Sequence, residues 1–365
     1  MTKYAIVTGA SPCSIGFLAA KKLASPEYGY KVILACRNSQ KGHEAEELIR
    51  AAYPSSEVIY MQLDLGSFES IRMFVDDVHK LDGGAIVDHP NNKKSGSSSS
   101  SSLNILVNNA GIGWGQNTPF VETSDNLEEI VGVNHFGTFL LTQLLLDDLK
   151  RSEDGASIVI VSSSLHEYNE RMTVDNKDSN NNSNNDGQDE EEDDNNDNKK
   201  KLVLPNFPDG ILQSKENYDG FKAYQVSKLC NLWFTYELQR RLDEEATMGS
   251  TTTTPSSSVI KVNAVSPGFI PTTGLTRRAG WKGIFFLNYI LDPWRYIGMG
   301  RTRSPEDGAE VIVQAATTSD DGGGKYYTLP KGKESVITSI ASSDESRDET
   351  KAKKLWELSL KTCRM

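Results

Sequence analysis

Short, continuously apolar runs rich in β-branched residues recur along this 365-residue chain, each followed by an apolar spacing of helical period. The runs cover 4–8, 31–36, 57–63, 104–108, 157–162 and 259–265, with a weaker seventh at 325–329. Between them the spacing predicts helices near 15–24, 40–52, 67–80, 124–150, 221–246 and 304–317. A strand that is apolar on both faces has to be covered on both faces, and intervening helices supply that cover. The pattern therefore predicts an α/β fold with a Rossmann-type, doubly wound parallel sheet. Ser304-Pro305-Glu306-Asp307 reads as a helix start, with Ser304 as N-cap and Pro305 in the first helical position. No internal repeat is present.

Three polar stretches interrupt this order. Residues 88–102 are dominated by Asn, Lys and a serine run, 173–201 by Asn, Asp and Glu, and 247–258 by Thr and Ser. Such stretches bury too little apolar surface to offset the entropy of ordering, so each is expected to be a disordered surface insertion of one domain spanning 1–365. The net charge is −11, and residues 175–201 carry ten Asp/Glu against four Lys, so −6 of it sits in one insertion. The acidity is local and implies no nucleic-acid partner. Cys13, Cys36, Cys230 and Cys363 are scattered without a CxxC pair, which fits a reduced compartment. The five histidines form no ligand-spaced cluster, so no metal site is expected. No apolar run reaches transmembrane length, and a strand beginning at Tyr4 leaves no room for a leader. A cytoplasmic location is expected, or a plastid one if a transit peptide has been lost.

The first apolar run ends in the turn TGASPCSIG, 8–16, and runs directly into a helical pattern. In that context Gly9 and Gly16 let backbone N–H groups approach a dinucleotide pyrophosphate at a helix N-terminus, with Thr8 and Ile15 bounding the turn. Arg37 ends the second run and Lys41 follows one helical turn later, with no Asp or Glu at that strand end. A carboxylate there would bind a ribose hydroxyl, whereas cations accommodate a 2′-phosphate, so NADP(H) is expected, with Ser11 adding a hydroxyl contact. Tyr224 and Lys228 in AYQVSK stand four apart on one helix face. A neighbouring ammonium favours the phenolate, moving the phenol toward a useful acid–base range. Together these features predict hydride transfer coupled to proton transfer.

The motifs resemble those of the short-chain dehydrogenases/reductases over most of the chain outside the insertions. Against that family's TGxxxGxG, the turn here is one residue longer and Ser14 stands at the middle glycine. Asn108-Asn109-Ala110-Gly111 matches its NNAG, and Asn134 in VNHFG matches its helix asparagine. The resemblance implies that Asn109, Ala110 and Gly111 steady the sheet beside the cofactor and that Asn134 holds a water in a proton relay to Lys228. It further implies that Ser163, or Ser162 if the register slips by one, hydrogen-bonds the reacting oxygen. Asp64 and Leu65 would flank the adenine, Pro267 and Gly268 would stand beside the nicotinamide, and Thr272 would bond its carboxamide.

Residues 269–303 include Trp281, Phe285, Phe286, Tyr289 and Trp294 and read as a hydrophobic substrate lid. Ordinary packing and a membrane-surface contact are the alternatives. Within the family, LLLDDLK (144–150), YDGFKAYQVSKLCN (218–231), PGFIPTTGL (267–275) and KAKKLWELSLK (351–361) resemble the light-dependent protochlorophyllide oxidoreductases. In that branch a cysteine, here Cys230, lines the pigment site with the Tyr–Lys pair. A second cysteine follows the Pro-Gly, where this chain has Phe269, and NNAG is the general family form. NHFGTFLLT and the LACR and SKL stretches also resemble retinol-dehydrogenase-like enzymes. The expected activity is transfer of a hydride from NADPH to a bulky apolar small molecule. Tyr224 is then the proton donor, Lys228 and Asn134 the relay, and Ser163 the orienting group. An NADPH-binding sensor or scaffold without turnover is the reading from another class.

Overall fold

In the computed structural model, residues 2–81, 101–114, 118–167, 211–248, 260–270, 303–319, 322–330 and 336–365 are described. The apolar runs become β1 (Thr2–Thr8), β2 (Lys31–Cys36), β3 (Val58–Gln62), β4 (Ser101–Asn108), β5 (Ala156–Val161), β6 (Ile260–Ser266) and β7 (Tyr326–Thr328). With a short β8 (Thr338–Ser339) they form one sheet ordered β3-β2-β1-β4-β5-β6-β7-β8. The first seven strands are parallel, and β8 is antiparallel to β7. The chain winds outward from β1 in one direction through β2 and β3, then returns to β4 and winds the other way. The crevice beyond the carboxyl ends of β1 and β4 is thus the switch point where such sheets take ligands.

Both faces of the sheet are covered, as continuously apolar strands require. Alternate residues of β1 enter opposite layers: Tyr4 and Ile6 join one core, Ala5 and Val7 the other. The second core is closed by α1 (Ile15–Leu23), α2 (Ser39–Ala52) and α8 (Pro305–Thr317), through residues such as Leu23, Ile49 and Ile312. Ser304 and Asp307 form a reciprocal capping box at the start of α8, with Pro305 just inside it. The first core packs under α3 (Phe68–Lys80), α7 (Gly220–Met248) and α9 (Glu349–Thr362).

The long helix expected over 124–150 is broken into pieces. Glu128 caps α4 (Glu129–Val131), its carboxylate accepting from Ile130 N at 2.9 Å and Val131 N at 2.8 Å. A π-turn follows at Gly132–Gly137, then α5 (Thr138–Leu144) and α6 (Leu146–Lys150). The π-turn passes so close to the chain after β3 that a β-carbon on Gly137 would collide with the Leu65 carbonyl. Ser101 and Ser102, expected within an insertion, belong instead to β4, where they pair with Thr2 and Lys3. Thr247 and Met248 likewise extend α7. The remainder of 88–102 and of 247–258, all of 173–201, and 271–302 of the expected lid lie outside the described residues.

Among the described residues no helix is long and apolar enough to cross a membrane. Among them also, no group of three or more His, Cys, Asp or Glu side chains is placed to hold a metal ion.

Candidate active site

The glycine turn is tied to the neighbouring strand end by one hydroxyl. Thr8 Oγ accepts from the backbone N–H groups of Asn109 and Ala110, each at 2.9 Å, and lies 3.2 Å from Val107 O. Asn109 Nδ2 donates back to Thr8 O at 2.8 Å. Gly9 sits at φ +70°, a conformation that favours glycine, and a β-carbon on Gly16 would collide with the Asn109 amide. The extra residue in the turn is absorbed by Cys13, whose backbone is left-handed at φ +64°. Ser14, in the place of the middle glycine, is the N-cap of α1: its Oγ accepts from Phe17 N at 3.0 Å and lies 2.7 Å from Ser11 O. The departure from the glycine pattern therefore becomes a cap that tightens the turn. A β-carbon on Gly308 of α8 would lie 3.1 Å from the Ile15 side chain and 3.4 Å from that of Pro267. The end of β6 and the glycine turn thus meet under the first turn of α8.

At the rim, β2 ends beside the same turn, with Gly9 N donating to Ala35 O at 2.8 Å. Ser11 hydrogen-bonds the buried Cys36 thiol, whose pKa is pushed up by burial. Arg37 and Lys41 are both exposed there, and Asn38 between them caps α2 by accepting from Lys41 N. Asp64 Oδ1 accepts from Gly66 N at 2.9 Å, holding the bend after β3, and Leu65 is buried in the core. Gly268 follows the buried Pro267 at φ +84°. Thr272 lies outside the described residues.

The proton-handling candidates converge beyond β5. Ser163 hydrogen-bonds the Tyr224 phenol, whereas Ser162 is buried and turned to Lys228 O at 2.8 Å. Ser163 is thus the serine that faces the tyrosine. Lys228 Nζ donates to Val161 O at 2.9 Å and stands 5.5 Å from the Tyr224 ring centroid. Burial moves the two groups in opposite directions. It drives the Tyr224 phenol well above its ordinary range against the pull of Ser163, and lowers Lys228 to about 8. The expectation of a lowered phenol pKa is therefore corrected: desolvation of the buried phenol outweighs the one lowering contact, the hydrogen bond from Ser163.

Asn134 lies within the π-turn. Its Oδ1 accepts from Ile112 N at 2.7 Å, and its Nδ2 donates to Ile112 O and to Ser227 Oγ, each at 3.0 Å. Both side-chain N–H groups are therefore engaged. A β-carbon on Gly111 would sit 3.2 Å from Asn134 Oδ1 and 3.5 Å from Lys228 Nζ, so that acceptor and that amine flank the same point.

Trp114 is the residue that motif reading missed. Its indole packs on the Tyr224 ring at 4.7 Å and on Phe221 at 4.8 Å. The available signal was an aromatic residue among glycines, GIGWG, just beyond a strand end. Cys230 is fully buried in the same core layer as Tyr224 and Trp233, and burial pushes its thiol pKa up. Phe269 is 41% exposed.

A family model for short chain dehydrogenases matches residues 94–174. The chain is 31% identical over 358 residues to protochlorophyllide reductase A, chloroplastic, of Oryza sativa subsp. japonica, covering 98% of this chain and 79% of that one. It is 29% identical over 365 residues to short-chain dehydrogenase TIC 32 B, chloroplastic, of Brassica napus, covering 98% and 87%. A short chain dehydrogenase from Shigella flexneri, solved in complex with NADP, shares the fold at a TM-score of 0.52 and 18% identity, covering 89% and 95%. Likeness to the rice protein along 98% of this chain, on a sheet that brings these motifs to one crevice, shows that the chain belongs to the short-chain dehydrogenase/reductase family of oxidoreductases, beside the protochlorophyllide reductases.

Proposed function

We propose that this protein uses NADPH to reduce a bulky, conjugated apolar substrate, with Tyr224 as proton donor. The observation that carries the reading is the meeting of Ser163, Tyr224, Lys228 and Asn134 beyond the carboxyl end of β5. The crevice fits the cofactor: the turn between Gly9 and Gly16 opens onto the N-terminus of α1, and exposed Arg37 and Lys41 suit a 2′-phosphate. The structural relative from Shigella flexneri, which binds NADP, supports the same choice. When bound, NADPH supplies a hydride, two electrons and one hydrogen nucleus. The matching proton comes from Tyr224 Oη, so the substrate gains two hydrogens in all.

The chain's own groups suit the proton step. A phenol held above its ordinary pKa by burial stays protonated near neutrality, which is the form a donor needs. Ser163, bonded to that phenol, would accept or donate to the reacting oxygen or ring and keep it in line. Lys228, lowered to about 8, can exchange protons at physiological pH and would reprotonate the phenolate through a water shared with Asn134 Oδ1. Trp114 and Phe221 would offer aromatic faces to a flat substrate.

Protochlorophyllide is the candidate suggested by the rice relative's name. A carbonyl or alcohol of retinoid type is the second reading, favoured by Phe269 in place of a thiol and by Cys230 being enclosed in the core. The test is NADPH consumption and absorbance with protochlorophyllide in darkness and after illumination, beside retinal. Light-dependent loss of protochlorophyllide supports the first reading, and dark reduction of retinal the second. NADPH binding without turnover of either would sink both and leave a sensor or scaffold.

A further inference from the structure

Asn134 is carried by the least regular part of its segment, and a distant part of the chain holds that part. The π-turn at Gly132–Gly137 has wider backbone rings than an α-helix and poorer packing of its own. Two residues following Asn134 are tied to α9, more than two hundred positions away in sequence. His135 Nε2 and Ser359 Oγ are 2.8 Å apart, both side chains fully buried. Ser359 Oγ donates to Leu355 O at 2.7 Å, so it accepts from His135 Nε2–H and fixes the tautomer. The Cys363 thiol, also fully buried, donates to Phe136 O at 3.5 Å. Aromatic packing closes the same seam: Trp356 of α9 lies 5.2 Å from Phe139 and 6.0 Å from Phe234, and His135 lies 6.2 Å from each of those two rings.

From Asn134 the chain of contacts runs straight to the reaction. Its amide clamps both backbone groups of Ile112, next to Gly111, and donates to Ser227, which in turn donates to Tyr224 O at 2.7 Å. We propose that α9 is a positioning element of the proton relay, holding the π-turn through the His135–Ser359 and Phe136–Cys363 contacts so that Asn134 keeps its grip on Ile112. This rests on the reading above that Asn134 serves the relay.

Burial holds the His135 imidazole neutral, lowering its pKa to about 3, so the tie does not switch in the physiological range. His135 is therefore a positioning residue acting through its neighbour, and Ser359 is its anchor. Geometry of this kind matters because a shift on the order of 1 Å at a relay group can cost about a hundredfold in rate.

The test uses the full chain with Ser359→Ala, the milder Cys363→Ala, and Lys354→Ala on the exposed face of α9 as control. Hydrogen exchange is followed at the Ile112 amide, which donates to Asn134, and at Val159 in the central strand as a gauge of global stability. Ser359→Ala should speed exchange at Ile112 by about tenfold more than at Val159, with Cys363→Ala moving it the same way by a smaller factor and Lys354→Ala leaving it unchanged. With whichever of protochlorophyllide and retinal the wild type turns over, kcat should fall by roughly three- to tenfold while KM and the NADPH Kd stay within about twofold. Equal acceleration at Ile112 and Val159, or loosened Ile112 with unchanged kcat, would overturn the proposal. If the wild type turns over neither substrate, the functional reading fails, and the Ile112-to-Val159 ratio alone still decides whether α9 holds Asn134.

Discussion

Thr8→Val removes the hydroxyl that joins the glycine turn to the end of β4 while keeping the side chain's shape. Thr8 is fully buried and accepts from Asn109 N and Ala110 N, each at 2.9 Å. The two donors do not lose equally. Asn109 N is shared with Val107 O at 3.1 Å and keeps that second acceptor, whereas among the described residues no second acceptor is seen for Ala110 N. An orphaned donor costs about 1–3 kcal/mol when buried and about 1–2 kcal/mol at half-buried Ala110, and the lost half of a shared bond adds about 0.5 kcal/mol, so about 1.5–2.5 kcal/mol is expected in all. That is a large fraction of a typical stability of about 5–15 kcal/mol. Thr8→Ser is the control: it keeps the acceptor and loses a single methyl, worth about 1 kcal/mol. Urea unfolding followed by tryptophan fluorescence should show a lower midpoint for the valine variant at an unchanged slope. NADPH affinity should weaken with it, because the turn and Ala110 would no longer move together. Equal midpoints for the valine and serine variants would refute the reasoning, since packing and not the hydroxyl would then hold the junction.

Tyr224→Phe should keep the fold and NADPH binding while kcat falls on the order of 10²–10⁴-fold, the usual size of a lost general acid; turnover within threefold of wild type would remove Tyr224 from that role. Arg37→Asp should move the ratio of NADPH to NADH dissociation constants toward NADH, by repelling the 2′-phosphate and accepting a ribose hydroxyl; an unchanged ratio would pass selectivity to Lys41 or Ser11. Lys228 has a folded pKa of about 8 against an ordinary 10.5, so between those values the unfolded chain holds a proton that the folded chain has released. Stability should therefore rise with pH across that window, and below about 8 the cost of a buried ammonium is fully present. Lys228→Met should flatten that rise and add up to about 3 kcal/mol near pH 7 while abolishing turnover, as read by urea midpoints from pH 7 to 11. A pH profile parallel to wild type would mean Lys228 is not the titrating group.

What was legible in the sequence was local. Apolar runs of strand length alternating with helical spacing dictate a parallel sheet with two covered faces, because a run such as Ile33-Leu34-Ala35 offers water no polar side. Capping chemistry placed the start of α8, and the four-residue spacing placed Tyr224 and Lys228 on one face of α7. The tertiary structure decided what depends on residues far apart. Which serine faces Tyr224 follows from Ser162 being tied to Lys228 O, and no window around residue 162 contains that contact. The π-turn at Gly132–Gly137 arises where the chain passes against Leu65, and β4 reaches back to Ser101 because β1 offers Thr2 as a partner. The helix α9 is mostly polar, and its few buried residues Ala352, Leu355, Trp356 and Ser359 make a narrow stripe that only a waiting surface on α5 and α7 turns into a helix. The direction of the Tyr224 pKa was decided in the same way: sequence supplied a lysine four residues away, but enclosure by Trp114 and the rest of the fold supplied the desolvation that sets the upward shift.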